Sequence, residues 1–176
     1  MLDFAILVRA HKDKDLESYI DLQYELIPTY YKVDETLVRS TIKSMLSLDD
    51  VEYFSIVDHQ TEEYFGSIEF AQKGSADTPV IGINILSKAQ NKGIGTAALK
   101  LFLKELYELR SISKVKLLIM PDNKRSIHVF EKLGAVCLNS HILEAAEKIS
   151  EASGCKLGDQ DQLAFTAMEY ELRLPI

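Results

Sequence analysis

The order of apolar and polar positions at the start of the chain predicts a strand followed by two helices. Apolar residues dominate positions 4–9, which is typical of a strand. Apolar positions then recur every three or four residues, which predicts a helix that starts beside Asp13 and stops before Pro28. A second helix is predicted after Asp34, because this carboxylate can accept hydrogen bonds from the N–H groups of a first helical turn.

The middle of the chain predicts a hairpin and then a central strand. Residues 53–57 and 64–71 are rich in β-branched and aromatic side chains, and the polar stretch between them predicts an antiparallel hairpin. Residues 80–86 are almost continuously apolar, which is typical of a strand buried on both faces. A helix over 93–110 and a strand over 115–120 follow, so we expect a right-handed crossover between parallel strands. We expect this helix to bury Ile94, Ala97, Ala98, Leu101, Leu106 and Leu109.

The rest of the chain predicts shorter elements of both kinds. A helix over 124–133 ends at Gly134, because glycine readily adopts the left-handed conformation that follows many helices. The later predicted elements are a strand over 135–138, a helix over 142–152 and an alternating, half-exposed strand over 164–173. No repeat or low-complexity tract interrupts the pattern, so we expect one mixed α/β domain over residues 1–176.

Composition and charge narrow the class of partner. The chain has 176 residues, of which 47% are apolar and 27% charged, as expected for one globular domain. Its 20 Lys and Arg residues against 27 Asp and Glu residues give a net charge of −7. Such a charge repels nucleic-acid phosphates, so we expect no nucleic-acid partner. It suits a cationic partner better, such as an amine, although an acidic balance is also the ordinary means by which proteins stay in solution.

Three further features concern compartment, membrane and metal. The apolar runs are far shorter than the ~18 residues of a membrane span, and the first residues do not resemble a cleavable signal, so we expect a cytoplasmic protein without membrane association. Cys137 and Cys155 lack CxxC spacing and are expected to be reduced thiols. The four histidines lack the HxxxH and HExxH spacings of zinc sites, so no metal is expected. The sequence leaves a monomer and a homodimer equally open.

A glycine-containing segment between the central strand and the following helix predicts an anion site. It reads Gln90-Asn91-Lys92-Gly93-Ile94-Gly95-Thr96. Glycines allow the backbone to come close to a ligand, and the first N–H groups of a helix have no partner within the helix. The helix dipole and the charge of Lys92 both favour an anion at this position.

Two other phosphate-binding motifs fit this segment less well. Residues 93–98 satisfy the G-x-G-x-x-G/A pattern of dinucleotide-binding proteins. That pattern requires its first glycine directly after the strand and an acidic residue about 20 positions later, whereas residues 87–92 intervene here and Met120-Pro121 stands in the later position. A Walker loop is excluded because no Gly-Lys-Ser/Thr is present.

The chain resembles the GNAT superfamily of acetyl-CoA-dependent N-acetyltransferases in two motifs. Gln90 to Gly95 fits the first signature of that family, Q/R-x-x-G-x-G/A. Residues 123–134 follow the second, N-x-x-S/A-x-x-x-Y/F-x-K-x-G-F, with Ala135 at its last position, and each motif has a predicted strand before it and a helix after it. The resemblance is sharp over residues 80–135. It implies a mixed, mostly antiparallel sheet with a central parallel strand pair, flanked by helices.

The resemblance also implies where acetyl-CoA binds. The backbone amides of Gln90, Asn91, Lys92, Gly93, Ile94, Gly95 and Thr96 would bind the pyrophosphate of coenzyme A. Ile85, Leu86 and Ser87 would lie beside the pantetheine arm, with Asn123 and Ser126 near it. Ile85 and Leu86 are equally well explained as core residues of a buried strand.

The acid and base of the reaction are less well defined than the cofactor site. Glu69, on the hairpin strand next to the central strand, is the candidate base, although a glutamate in a strand is more often exposed to solvent. Phe130 stands at the position, beside the thioester sulfur, where many GNAT enzymes have a tyrosine that protonates the leaving thiolate. Tyr107 and Tyr170 are candidates for this proton donor in place of Phe130, although each is also explained as a ring in the core or on the surface.

Three functions follow from these observations. The first is an N-acetyltransferase that moves an acetyl group from acetyl-CoA to a primary amine of a small molecule or to a peptide or protein N-terminus. The second, suggested by Phe130, is a catalytically weak regulatory domain that binds acyl-CoA. The third is a nucleotide-binding protein.

Overall fold

A mixed seven-stranded sheet forms the centre of the protein. The computed structural model describes residues 5–26, 34–72, 78–142 and 166–176. The strands of the sheet are β1 Ile6–Ala10, β2 Val51–Asp58, β3 Tyr64–Ala71, β4 Val80–Ile85, β5 Lys114–Ile119, β6 Val136–Ile142 and β7 Thr166–Arg173. They lie in the spatial order β1-β2-β3-β4-β5-β7-β6. β4 and β5 pair in parallel and the other neighbours are antiparallel, which confirms the expected fold class.

Helices cover both faces of this sheet. They are α1 Leu16–Leu26, α2 Glu35–Leu46, α3 Ile94–Arg110 and α4 Lys124–Lys132. Successive side chains of a strand point to opposite faces. In β3, Ile68 belongs to the large core cluster that includes α3 residues, whereas the next residue, Glu69, meets Tyr19 of α1. The first two helices and α3 therefore lie on opposite faces of the sheet.

The helix ends follow from the residues that cap them. The Oδ1 of Asp34 accepts a hydrogen bond from the N–H of Leu37 at 2.8 Å, which confirms the predicted cap of α2. Gly134, with φ 95°, takes the left-handed conformation directly after α4. Leu26 is the last described residue of α1, in agreement with the predicted end before Pro28.

The buried face of α3 differs in part from the prediction. Ile94, Ala98 and Leu106 are buried as expected, but Leu101 is 47% exposed and Leu109 is 77% exposed. The buried face instead continues through Leu99, Phe102 and Leu103. These positions extend the four-residue spacing from Ile94 to Leu106, which places Leu101 and Leu109 on the far side of the helix.

The central strand β4 also differs from the prediction, because it is not buried on both faces. Only Ile81 is buried within Val80–Ile85, and the other five residues are partly exposed. The cause is that β4 lies beside an opening in the sheet. Apolar side chains that line a cleft give the same sequence pattern as side chains inside a core.

Two predictions near the end of the chain have different outcomes. The helix predicted over 142–152 begins at a residue that belongs to β6, and its remaining residues lie outside the described part. The final strand is confirmed over Thr166–Arg173. The extent of one domain over residues 1–176 stays a prediction.

Candidate active site

The site is built around an opening between the parallel strands β4 and β5. The two strands pair at a single position, Val80 with Lys116, where the N–H of Lys116 also donates to the carbonyl oxygen of Pro79 at 2.8 Å. No further pairing joins the described residues of these strands. The carboxyl-terminal part of β4 is therefore unpaired on this side, and its backbone groups and side chains are accessible to a ligand.

A cavity of about 280 Å³ lies at the carboxyl end of β4, between the starts of α3 and α4. Most of the predicted cofactor-binding residues line it: Ile85, Gln90, Asn91, Gly93, Ile94, Gly95, Thr96, Asn123, Ser126 and Phe130. The two sequence motifs, about 30 residues apart, therefore meet at one cavity. Leu86, Ser87 and Lys92, which were also predicted, do not contribute to its lining.

The backbone at the start of α3 has the form of an anion site. Gly93 precedes the helix with φ 75°, and Asn91 has φ 59°. These left-handed conformations turn the chain sharply into the helix, and glycine adopts such a conformation without steric strain. The first residues of the 17-residue helix line the cavity, so its unpaired N–H groups and the positive end of the helix dipole favour an anion there.

Gly95 has a packing role as well as a place in the cavity lining. A Cβ atom built on Gly95 would lie 3.3 Å from Cγ1 of Ile85, tighter than most contacts of this kind. The absence of a side chain therefore lets the first turn of α3 approach β4 closely. This close approach brings the helix N-terminus and the end of the strand to the same cavity.

A polar link between the two motifs holds the cavity wall. The side-chain amide of Gln90 donates to the carbonyl oxygen of Ile85 at 2.8 Å. The guanidinium of Arg125 in turn donates to Oε1 of Gln90. Gln90 thus connects the end of β4 to α4, and Arg125 adds a positive charge to the cavity lining.

The side chain of Asn123 has two roles, because it caps α4 and also lines the cavity. Its Oδ1 accepts a hydrogen bond from the N–H of Ser126 at 3.1 Å, so Asn123 caps α4. It also lines the cavity together with Ser126. The predicted cofactor contact and the cap therefore involve the same side chain.

Sequence reasoning missed several residues of the cavity: Leu26, Ile83, Asn84, Ala89, Leu99, Arg125 and Val129. Ile83 and Asn84 directly precede Ile85, the first strand residue predicted to contact the cofactor. Including two more residues of the strand in that prediction would have found them. Arg125 lies inside the second motif, at a position the motif leaves open. Leu26 comes from the end of α1, and no local pattern places it near residue 90.

Glu69 lies on the α1 side of the sheet, beside β4. It pairs with Gly82 of β4 and with Tyr53 of β2. The Tyr19 hydroxyl lies 3.2 Å from Oε1 of Glu69 and donates a hydrogen bond to it. Burial raises the pKa of Glu69 above the ordinary value of a glutamate, and the Tyr19 hydrogen bond opposes that rise. A raised carboxyl pKa suits a general base that works near neutral pH.

A second polar cluster on the same face resembles a catalytic triad in composition only. The Oγ of Ser55 lies 3.3 Å from Nδ1 of His11 and donates to Oδ2 of Asp15 at 2.7 Å. A nucleophilic triad requires the histidine between the serine and the carboxylate. Here the fully buried Ser55 contacts both, and Asp15 also pairs with Arg9 at 2.6 Å, so the cluster fixes the start of α1 against the sheet.

Neither a metal-binding cluster nor a membrane-spanning helix is found among the described residues. No group of three or more His, Cys, Asp or Glu side chains is arranged there to hold a metal ion. No helix in the same residues has both the length and the apolar character needed to cross a bilayer.

Comparison with known proteins identifies the family. A family profile described as "Acetyltransferase (GNAT) domain" matches residues 4–136. The chain therefore belongs to the GNAT acetyltransferases, a family of acyltransferases that use acetyl-CoA as co-substrate. A comparison with curated protein sequences gave no match.

Solved structures share the fold at low sequence identity. A chimera of the spermidine N-acetyltransferase SpeG from Vibrio cholerae and hSSAT is 15% identical with a TM-score of 0.71, and the match covers 96% of this chain and 95% of that one. A domain from Methanocaldococcus jannaschii is 23% identical with a TM-score of 0.68, covering 98% and 100%. The ribosomal-protein-S5-alanine acetyltransferase from Vibrio fischeri is 15% identical with a TM-score of 0.68, covering 96% and 92%.

Substitutions of Asn123 separate its cap from its predicted contact with the cofactor. Asn123→Ala is expected to lower the free energy of unfolding by about 1 kcal/mol, because the N–H of Ser126 loses its acceptor. Asn123→Ser keeps a good cap and should retain the melting temperature, but it removes the amide that faces the cavity. We expect weaker coenzyme A binding by calorimetry for both variants. Unchanged affinity of Asn123→Ser for coenzyme A would show that Asn123 caps α4 but does not contribute to cofactor binding.

Proposed function

We propose that this protein transfers an acetyl group from acetyl-CoA to a primary amine, either of a small molecule or at a peptide or protein N-terminus. The observation that carries the proposal is the cavity at the carboxyl end of β4, which joins both motifs and a helix N-terminus. Glu69, on the strand next to β4, supplies a carboxylate nearby.

The residues around the cavity fit the parts of coenzyme A. In this proposal the N–H groups at the start of α3 bind the pyrophosphate, and Arg125 adds positive charge. The unpaired part of β4 offers backbone groups to the amides of the pantetheine arm, while Ile83 and Ile85 contact its apolar portions. The opening between the strands gives the thioester a route toward the α1 face, where Glu69 lies.

Glu69 acts as the base in this proposal. The amine nitrogen forms a bond to the thioester carbonyl carbon as the carbon–sulfur bond breaks, and the amine must first lose a proton. A lysine-like ammonium has a pKa of about 10.4 and an α-ammonium one of about 7.7 to 8.0, so the first needs a base more than the second. The half-buried carboxylate of Glu69 accepts this proton. The net charge of −7 also favours approach of a cationic acceptor.

No tyrosine takes the place of Phe130 as the acid among the described residues that line the cavity. Tyr107 is 43% exposed on α3, and Tyr170 is 2% exposed within the core. The leaving thiolate therefore takes its proton from water in this proposal. An alkyl thiol with a pKa of about 8.5 is stable enough as a thiolate to leave in this way.

Phe130 keeps a second candidate function open, a regulatory domain that binds acyl-CoA without efficient turnover. The ring is 2% exposed and belongs to the core, yet it also lines the cavity. It therefore closes the cavity with an apolar surface where a proton donor would speed release of the thiol. Binding of coenzyme A without acetyl transfer would favour this second function.

A binding measurement and a turnover measurement together test the proposal. Coenzyme A at 100 times its dissociation constant is expected to stabilise the fold by about 2.7 kcal/mol, read as a rise in melting temperature, while NAD and ATP serve as control ligands. Thiol release from acetyl-CoA is then measured with spermidine and with a peptide that carries an N-terminal alanine. A response to NAD or ATP but not to coenzyme A would refute the proposal.

A further inference from the structure

We propose that Tyr19 is a positioning residue, which holds the carboxylate of Glu69 against β4 so that one carboxylate oxygen remains directed toward the acceptor amine. This inference rests on the proposed function, in which Glu69 is the base. It assigns a role in the reaction to α1, a helix that neither sequence motif includes.

The Tyr19 hydroxyl is held in a fixed position. Tyr19 is only 1% exposed. Its ring meets the rings of His11 and Tyr53 edge to face, with centroid distances of 5.5 Å and 5.8 Å. A buried ring with aromatic neighbours on two sides has little freedom to turn, so its hydroxyl has one place to donate. That place is Oε1 of Glu69, at 3.2 Å.

The absence of a side chain at Gly82 leaves space beside the other carboxylate oxygen of Glu69. A Cβ atom built on Gly82 would lie 3.8 Å from Oε2 of Glu69. Gly82 is the one glycine in β4, and it is the residue paired with Glu69. Any other residue there would bring a side chain into van der Waals contact with this oxygen. Tyr19 thus occupies Oε1, while Gly82 leaves Oε2 open toward the strand that borders the cavity.

The charge environment of Glu69 leaves the Tyr19 hydroxyl as the contact that favours the ionised carboxylate. Two opposing influences set the pKa of Glu69: burial raises it, and the hydrogen bond from Tyr19 lowers it. The titratable groups that face it are Tyr19 of α1, Tyr53 of β2 and Tyr64 of β3, and β4 carries none. These phenols are neutral near pH 7, since the ordinary pKa of a tyrosine is about 10 and burial raises the pKa of each one further. Among these described groups, Tyr19 is the one that donates a hydrogen bond to the carboxylate.

The sign of the pH effect follows from these contacts. Glu69 can accept a proton only when it is ionised, so activity should fall as the pH decreases through its pKa. Tyr19→Phe keeps the ring but removes the donor, so the pKa of Glu69 should rise. The acidic limb of the pH–rate profile should then move to higher pH by about one unit, since a hydrogen bond to a charged group is typically worth that much.

The test is a carbon-13 NMR titration of the carboxyl carbon of Glu69 in the full chain, with Glu69→Gln used to assign the signal. We expect the titration midpoint to rise by about one unit in Tyr19→Phe. Tyr53→Phe is the matched control. It removes a hydroxyl next to Tyr19 that has no hydrogen bond to Glu69 among the described contacts, so the midpoint should stay where it is.

Two further measurements complete the test. In the unsubstituted protein, the ring carbon that bears the Tyr19 hydroxyl should titrate with the same midpoint as Glu69, a readout that holds even if Tyr19→Phe does not fold. The pH dependence of kcat/KM with spermidine should shift in parallel with the NMR midpoint in Tyr19→Phe alone.

Failure of this inference can be distinguished from failure of the proposed function. An unmoved midpoint in folded Tyr19→Phe, or a Tyr19 ring carbon that does not follow Glu69, would overturn the role of Tyr19 even in an active enzyme. Equal shifts in Tyr19→Phe and Tyr53→Phe would likewise overturn it, because the hydrogen bond would not be their cause. Absence of acetyl transfer to any amine, with the NMR shift intact, would instead refute the proposed function.

Discussion

Glu69→Gln is expected to lower kcat/KM by about 10²- to 10⁴-fold while coenzyme A binds as before. Glutamine has nearly the same shape and can still accept the hydrogen bond of Tyr19, but it cannot take a proton from an ammonium group. The acidic limb of the pH–rate profile should disappear in this variant. The loss should be larger for an acceptor with a pKa near 10 than for an N-terminal α-amine, because about half of the α-amine is already deprotonated near pH 8.

Glu52→Gln provides the matched control for this prediction. Glu52 lies on β2, one residue from the Tyr53 that pairs with Glu69, and its carboxylate binds the guanidinium of Arg110 on α3 at 2.6 Å. It is therefore on the opposite face of the sheet, in an exposed ion pair worth at most about 1 kcal/mol. Loss of this ion pair in Glu52→Gln should leave kcat/KM unchanged. Comparable rates in Glu69→Gln and the wild type would remove Glu69 from the mechanism.

Local patterns predicted most of the elements and most of the cofactor site. The parallel pair was predictable from the order strand, helix, strand, which calls for a right-handed crossover. The helix cap at Asp34 and the hairpin were predictable because each depends on residues close in sequence. The motif that begins at Gln90 and the one that begins at Asn123 were recognisable for the same reason. Each is a turn from a strand into a helix, and such a turn demands particular residues at fixed positions.

The surroundings of the candidate base could not be predicted from local patterns. Residues 19 and 69 are separated by 50 positions in the chain, and the hydrogen bond between them depends on how α1 packs over the sheet. Gly82 gave no signal in the sequence beyond an interrupted apolar run. The partial exposure of β4 was missed because an apolar residue looks the same in a core and in the wall of a cleft.

The wrong prediction that Leu101 and Leu109 of α3 are buried has a similar explanation. Leucines stand at 99, 101, 103, 106 and 109, so the helix is apolar on several sides. A spacing rule then permits more than one buried face. The sheet decides between them, because Phe102 packs against Phe54 of β2 and Phe70 of β3, with ring centroids 4.8 Å and 6.2 Å apart.

Gly66→Ala should have the largest effect on stability of any conservative change near the site. A Cβ atom built on Gly66 would lie 2.2 Å from the backbone oxygen of Asn84 and 3.0 Å from Cα of Ile85. Both neighbours are backbone atoms of the adjacent strand, so no change of side-chain rotamer can relieve the contact. β3 and β4 would have to separate, at a cost of about 3 kcal/mol or more, the upper end of typical overpacking penalties. Because Asn84 and Ile85 also line the cavity, coenzyme A should bind more weakly as well.

Gly82→Ala is the control for this prediction, since it makes the same chemical change on the neighbouring strand. A Cβ atom at Gly82 would have its nearest contact at 3.8 Å, an ordinary van der Waals distance. The free energy of unfolding in urea should therefore stay within about 1 kcal/mol of the wild type or rise slightly, because alanine restricts the unfolded chain. For Gly66→Ala, the melting temperature should fall by about 6 to 12 °C, at roughly 2 to 4 °C for each kcal/mol in a chain of this size. Equal melting temperatures for the two variants would show that β3 and β4 are not held as closely at Gly66 as the structure describes, and the position of Asn84 and Ile85 in the cavity wall would have to be revised with it.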